Sequence, residues 1–130
     1  MATLTIHDRT ATGRGVDSIV IENLPERVTV RELIRTRVRD EVARYNLKPG
    51  DVFHGLIAPL GAEQQALGFR LRTPRRLDWE VQADTAVDAF GRNGFFILVN
   101  GRQVTELDEE ISVADTSDVA FVKLVQLIGG

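Results

Sequence analysis

The residues that most clearly suggest a chemical reaction are Gly129 and Gly130, which follow a β-prone run at the end of the sequence. Two glycines in series remove every side chain beside the terminal carboxylate, so a narrow channel can admit the extended backbone. We therefore expect the carboxylate of Gly130 to be the group that reacts. The alternative is a chance ending, or a cloning remnant, after an edge strand.

Side chains suited to acid–base, nucleophilic or metal chemistry are few. His7 and His54 are the only histidines, and neither has a paired carboxylate at ligand or acid–base spacing. Asp108, Glu109 and Glu110 could bind a hard cation, but three consecutive acids point in different directions and are typical of a solvated loop. We expect no bound cofactor, no metal and no intrinsic catalysis.

Composition indicates one domain of ordinary size, with 43% hydrophobic and 27% charged residues among 130. The absence of cysteine excludes disulfides, thiolate metal sites and a cysteine nucleophile. No apolar run is long enough to span a bilayer, and residues 1–7 show no secretory signal. These features predict a cytoplasmic protein. The net charge of −3 gives no general attraction to nucleic acid or anionic membranes, so neither is expected as a partner.

The first half of the chain predicts a hairpin followed by a helix. Residues 3–7 and 18–22 alternate polar and apolar side chains, which is typical of two half-buried antiparallel strands. Their inward positions are Leu4, Ile6, Ile19 and Ile21. Thr29 and Glu32 then form a capping box, which predicts a helix over 30–46. Its apolar stripe consists of Val30, Ile34, Val38, Val42 and Tyr45.

Charged side chains on this helix are expected on its solvated side. Arg37 and Glu41 are predicted to pair there at four-residue spacing. Arg31, Arg35 and Arg39 form a basic flank, which is either a solvated face or a patch for an acidic partner.

Residues 51–94 are predicted to be an insertion that contains a short strand and a second helix. Residues 52–58 indicate the strand. Asp78 is expected to cap a helix that runs from about Trp79 to Phe90. Its apolar positions are Val81, Ala86, Val87 and Phe90, and Trp79 is interpreted as a core anchor.

The last third of the chain predicts a hairpin and a final strand. Residues 95–99 are a continuous apolar run, as in a central strand, and Asn100-Gly101 is typical of a type I′ turn into a strand at 102–104. The final strand begins at 119. Because Lys123 prefers solvent, Ala120, Val122 and Leu124 are predicted to face the core. Phe121 and Val125 are then expected on the outer face beside Lys123.

This order of elements resembles the β-grasp fold of ubiquitin and its relatives. The first hairpin, the helix from Thr29, the Asn100-Gly101 turn and the terminal Gly129-Gly130 carry the resemblance, which covers 1–48 and 95–130. It implies an α+β fold in which a mixed sheet is crossed by one main helix, with a helical and loop insertion before the third strand. The first and last strands should lie side by side and parallel in the middle of the sheet. We expect a single domain over 1–130, with a flexible tail at 126–130.

The resemblance also implies a function. An E1-like enzyme would use ATP to adenylate the Gly130 carboxylate, and the acyl group would pass to a thiol, to sulfide or to an amine. A protein modifier joined to its target by an isopeptide bond is favoured, with an E2-like enzyme and a deconjugating metalloprotease as further partners. A sulfur carrier with a C-terminal thiocarboxylate and a noncovalent β-grasp adaptor remain alternatives. The predicted partner-binding patch consists of Phe121, Lys123, Val125, Leu127 and Ile128.

Overall fold

The computed structural model describes residues 2–10, 15–65, 68–116 and 118–123. Within these ranges the protein is α+β, with two helices and a mixed five-stranded sheet. The chain divides into two compact units, which we call the sheet unit (Met1–Arg31 with Ala89–Gly130) and the inserted unit (Glu32–Asp88). The inserted unit begins within the first helix, well before the insertion predicted at 51–94.

The bounds of both helices agree with the predicted bounds to within one residue, whereas the first two strands are longer than predicted and the strand predicted at 52–58 covers only 52–53. The helices are α1 (Val30–Leu47) and α2 (Trp79–Gly91). The strands are β1 (Ala2–Thr10), β2 (Gly15–Leu24), β3 (Arg27–Thr29), β4 (Val52–Phe53), β5 (Glu63–Gln65), β6 (Gly68–Arg70), β7 (Phe95–Val99), β8 (Arg102–Val104), β9 (Glu110–Ser112) and β10 (Val119–Lys123). No helix in the described part of the chain is both long and apolar enough to cross a membrane.

The five-stranded sheet has the order β2-β1-β10-β7-β8. β1 and β10 are parallel, with Ile6 opposite Val119 and Thr10 opposite Lys123, and the other neighbours are antiparallel. The prediction that the first and last strands pair in parallel at the centre of the sheet is therefore confirmed. β3 pairs with β9, and β4-β6-β5 forms a small antiparallel sheet in the inserted unit.

One face of the five-stranded sheet is buried, as the alternation in its strands dictates. The predicted inward residues of the first hairpin are buried, which confirms that part of the prediction. On β7 the side chains of Phe95, Ile97 and Val99 are buried, whereas Phe96 and Leu98 are only half-buried. The continuous apolar run of β7 therefore supplies the core on one face and an apolar surface on the other.

The hairpin between β7 and β8 turns at Asn100-Gly101, as predicted. Both residues have positive φ, 50° for Asn100 and 81° for Gly101, as a type I′ turn requires. The Asn100 side chain also donates to the carbonyl oxygen of Asp115 (3.3 Å) and accepts from the amide of Asp118 (3.0 Å). The turn is thereby tied to the segment that leads into β10.

Both predicted helix starts are confirmed. The amides of Val30 and Arg31 at the start of α1 donate to the carbonyl oxygens of Glu109 and Leu107, each at 2.9 Å. At the start of α2 the carboxylate of Asp78 accepts from the amide of Glu80 at 3.0 Å, which is an N-cap contact.

The apolar face predicted for α2 is wrong at Val81, whose side chain is 58% exposed. The buried positions of this helix are Gln82, Ala83, Ala86 and Phe90. Their spacing follows the helical period, and residue 81 falls outside that stripe.

The predicted pair of Arg37 and Glu41 forms, but its predicted position on the solvated side is wrong. Both side chains are buried, and Arg37 has no exposed surface. The reason is a second contact, because the other carboxylate oxygen of Glu41 accepts from the amide of Leu56 at 2.9 Å. A Cβ atom on Gly55 would lie 2.6 Å from that oxygen, so glycine at 55 permits the close approach.

Candidate functional site

Most of the residues predicted to react or to bind partners lie beyond β10. Val125, Leu127, Ile128, Gly129 and Gly130 are outside the described residues, and so is the tail predicted at 126–130. The described chain reaches Lys123 at the end of the central strand β10. The candidate site can therefore be built from β10 and its neighbours.

The predicted position of Phe121 on the outer face is wrong. Its side chain is fully buried and stacks on Phe95 of β7, with ring centroids 5.7 Å apart. Phe95 in turn contacts Phe90 at 5.8 Å, so the three rings form a row. Phe121 belongs to the core and is unsuited to direct contact with a partner.

The contact that explains this error involves Lys123. Its ammonium nitrogen lies 3.6 Å from the carboxylate of Asp8, whose side chain is only 6% exposed. Asp8 continues the inward alternation of Leu4 and Ile6 on β1, and parallel pairing brings it opposite Phe121. Lys123 therefore lies on the same face as the core residues, because a nearly buried carboxylate is within reach there. Alternation then places Ala120 and Val122 together on the outer face, where Ala120 is buried, as predicted, and Val122 is half-buried. Leu124, the third residue predicted to face the core, is outside the described residues.

The outer face carries a half-buried apolar surface formed by Phe96, Leu98 and Val122, which we call the outer patch. Val122 is opposite Phe96 in the register of β10 with β7. On the other side of β10 the register places Arg9 of β1 opposite Val122. The outer patch shares no residue with the predicted patch, and one of its residues, Val122, lies on the strand that precedes Gly129-Gly130 in the sequence.

The fold also brings a carboxylate to His7, which sequence spacing did not reveal. Nε2 of His7 lies 3.9 Å from Asp118, and Nδ1 lies 3.2 Å from the hydroxyl of Ser18. Arg9 lies 3.8 Å from the same aspartate. The residue types are those of a nucleophilic triad, but 3.9 Å is too long for a hydrogen bond and the His7 side chain is 40% exposed. The contacts instead connect β1 and β2 to the start of β10.

The three acidic side chains at 108–110 point in different directions, as expected, and each forms its own ion pair. They are Asp108 with Arg31 (3.6 Å), Glu109 with Arg102 (2.6 Å) and Glu110 with Arg27 (3.6 Å). The hydrogen bond from Arg102 to Glu109, together with the negative charge of this carboxylate, raises the pKa of Arg102. Across the described ranges no group of three or more histidine, aspartate or glutamate side chains is placed to hold a metal ion.

The basic flank of α1 is engaged within the protein. Arg31 pairs with the acidic run, and the guanidinium carbons of Arg35 and Arg39 lie 5.4 and 5.9 Å from the ring centroid of Trp79. Arg35 also pairs with Asp84 at 2.8 Å. Trp79 is half-buried and, in contrast to a purely apolar core anchor, makes cation–π contacts. An acidic partner would have to displace these contacts.

Comparisons of the chain with family models, with curated proteins and with solved structures gave no match. The structure of the chain itself has a central strand, β10, that precedes Gly129-Gly130 in the sequence, and an apolar outer patch that includes Val122 of this strand.

Proposed function

We propose that this protein is a ubiquitin-like modifier of the β-grasp class, whose Gly130 carboxylate is adenylated by an E1-like enzyme and transferred to a target. The observation that carries the proposal is the position of β10. It pairs in parallel with β1 at the centre of the sheet, and the sequence continues from it for seven residues to Gly130. The order of a first hairpin, a helix, a second hairpin and a returning central strand is compatible with a β-grasp arrangement.

The chemistry requires only a carboxylate that another protein can reach. An extended segment spans about 3.3–3.6 Å per residue, so residues 124–130 can bridge about 25 Å. The carboxylate oxygen of Gly130 attacks the α-phosphorus of ATP in the activating enzyme and releases pyrophosphate. A thiolate, and then an amine of the target, attacks the acyl carbon, and AMP and the thiol leave in turn. The mature polypeptide must carry Gly130 at its C-terminus for this chemistry.

The outer patch is the proposed contact surface for the activating enzyme. It is apolar and partly exposed, and Val122 lies one position before the end of the described chain. Phe121, by contrast, is buried. We therefore assign contact with the activating enzyme to the outer patch, in place of Phe121 and Lys123.

Removal of Gly129-Gly130 is expected to abolish adenylation without lowering the thermal midpoint of unfolding, because the deletion removes the reacting group and leaves the sheet intact. ATP–pyrophosphate exchange with the cognate activating enzyme measures the first effect, and circular dichroism measures the second. A variant with alanine at both positions keeps a carboxylate at the same chain length. It should be activated more slowly, since side chains hinder passage through a narrow channel. Unchanged exchange after the deletion would exclude the carboxylate mechanism.

The mass of the protein isolated from its native host distinguishes the outcomes of activation. Covalent adducts of higher mass support a modifier. Replacement of one oxygen by sulfur supports the sulfur carrier, and no change in mass supports the noncovalent adaptor.

Glutamate at position 122 is expected to slow charging by about tenfold or more, since a charge at the centre of an apolar contact removes most of its favourable energy. The matched control is Thr5→Glu, which adds the same charge at an exposed position of β1 in the same sheet. Both variants should retain a native circular dichroism spectrum. Equal charging rates for the two variants would show that the outer patch does not contact the activating enzyme.

A further inference from the structure

The inserted unit contains a cleft of about 870 Å³ beside the small sheet β4-β6-β5. Three arginines line it, Arg70, Arg72 and Arg75. This cleft lies in the part of the chain that the β-grasp resemblance does not cover. Any ligand it binds is therefore a feature separate from the proposed C-terminal chemistry.

The local backbone explains why the arginines converge. Leu71 directly follows β6, and its amide donates to the carbonyl oxygen of Asp51 at 2.7 Å. The Leu71 side chain is 2% exposed, whereas its neighbours Arg70 and Arg72 are exposed. Alternation along this extended segment directs both guanidinium groups away from the buried leucine. Arg75 is held in place by a hydrogen bond from its guanidinium to the carbonyl oxygen of Leu60 (2.5 Å).

These three arginines are not neutralised by carboxylates in the described part of the chain. Ion pairs there within the inserted unit use Arg35, Arg37 and Arg44. Glu63 is opposite Arg70 in the strand register, yet no ion pair joins them within 4.0 Å. Asp51 and Glu63 are the acidic residues among those that line the cleft, so three positive charges face two negative ones. This local excess of positive charge favours the binding of an anion.

We infer that this cleft binds a phosphate-bearing small molecule of nucleotide size. Guanidinium groups present forked donors that match phosphate oxygens, and the hydroxyl of Thr73 adds a further donor at the same wall. A volume of about 870 Å³ lies within the range of small-molecule sites, about 300–1,000 Å³. Leu60, which is 91% exposed, offers an apolar contact for the part of the ligand without phosphate.

The acidic residues favour a compact anion over nucleic acid. Asp51 and Glu63 lie among the arginines and would repel a continuous phosphate backbone. The net charge of −3 of the whole chain opposes a polyanion as well. A ligand with its phosphates grouped at one end can contact the arginines and avoid both carboxylates.

Isothermal titration calorimetry of the full chain at low salt tests the inference with ATP, tripolyphosphate and a single-stranded RNA oligomer as probes. ATP or tripolyphosphate should bind. Tighter binding of ATP identifies a nucleotide as the source of the phosphates, and equal binding identifies free polyphosphate. Both results support the cleft as a phosphate site. Binding of the RNA alone, or no binding of ATP and tripolyphosphate at millimolar concentration, overturns the inference.

Charge-neutralising variants separate the cleft from general electrostatic attraction. Arg72→Gln should weaken binding of the better probe by about tenfold, as expected for loss of one charge-assisted hydrogen bond. Adding Arg70→Gln should weaken it further. The matched control is Arg76→Gln, since Arg76 is an exposed neighbour that does not line the cleft. The affinity of this variant for the same probe should stay within about twofold of that of the unchanged protein. An equal loss in Arg76→Gln and Arg72→Gln, with native circular dichroism in both, contradicts a specific site.

Discussion

Replacement of Phe121 by alanine is expected to lower the free energy of unfolding by about 3–5 kcal/mol, the usual cost of deleting a buried aromatic ring. The ring is fully buried on β10 and stacks on Phe95, so its loss leaves a cavity beside the central strand. Small domains are stable by only about 5–15 kcal/mol, so this variant would lose a large part of its stability. Urea unfolding followed by circular dichroism measures the change.

Val122→Ala is the matched control, because this residue is adjacent on the same strand but only half-buried on the other face. Its cost should be clearly smaller, about 1 kcal/mol, since partial burial leaves less apolar surface to lose. If Val122→Ala were the more destabilising variant, the side chain of Val122 would face the core and that of Phe121 would face outward. The outer patch would then be wrong, and Phe121 would again be a candidate for partner contact.

The parts of the fold that were predictable from sequence are those fixed by neighbouring residues. Alternation in β1 and β2, the Asn100-Gly101 turn and the Asp78 cap each depend on a few adjacent side chains and on backbone sterics. Their outcome does not depend on which other segment approaches. For that reason the patterns gave both the elements and, in the first hairpin, the correct buried face.

Which side chains of β10 face the core could not be predicted in this way. A lysine alone indicates a solvated face, whereas Val119 and Phe121, which alternate in step with Lys123, indicate a buried one. What places it inward is Asp8, which is distant in sequence and becomes a neighbour only through parallel pairing. The sequence does place Asp8 in the same alternation as Leu4 and Ile6, which indicates a carboxylate on the inner face of β1. The contact between His7 and Asp118 depends on the same pairing.

The short strands are not predictable from the sequence for a related reason. β3 and β9 have three residues each and pair with one another, so neither shows a periodic pattern of its own. β5 and β6 are equally short. Strands of this length are defined by their partners, and periodicity over three residues carries almost no information.

Replacement of Glu41 by glutamine is expected to lower the free energy of unfolding by about 3–5 kcal/mol, because it removes the carboxylate charge that is paired with the buried guanidinium of Arg37. Glutamine retains the shape of the side chain and an oxygen that can accept from the amide of Leu56, so the loss reports on the ion pair with Arg37, both its charge and its hydrogen bond. Chemical denaturation gives the magnitude. Asp84→Asn is the control, since Asp84 is 75% exposed in its pair with Arg35 and its loss should cost about 1 kcal/mol or less.

The second variant in this test combines Arg37→Met with Glu41→Gln. It removes both buried charges, fills the space of the arginine stem with an apolar side chain and keeps an acceptor for Leu56. Replacement of a buried ion pair by apolar groups is often neutral or stabilising, so the double variant should be more stable than Glu41→Gln alone. That recovery is expected when one charge of a buried pair has been removed, because two independent packing defects would add. A double variant less stable than the single one would mean that Arg37 has a further role in the core, beyond balancing the charge of Glu41.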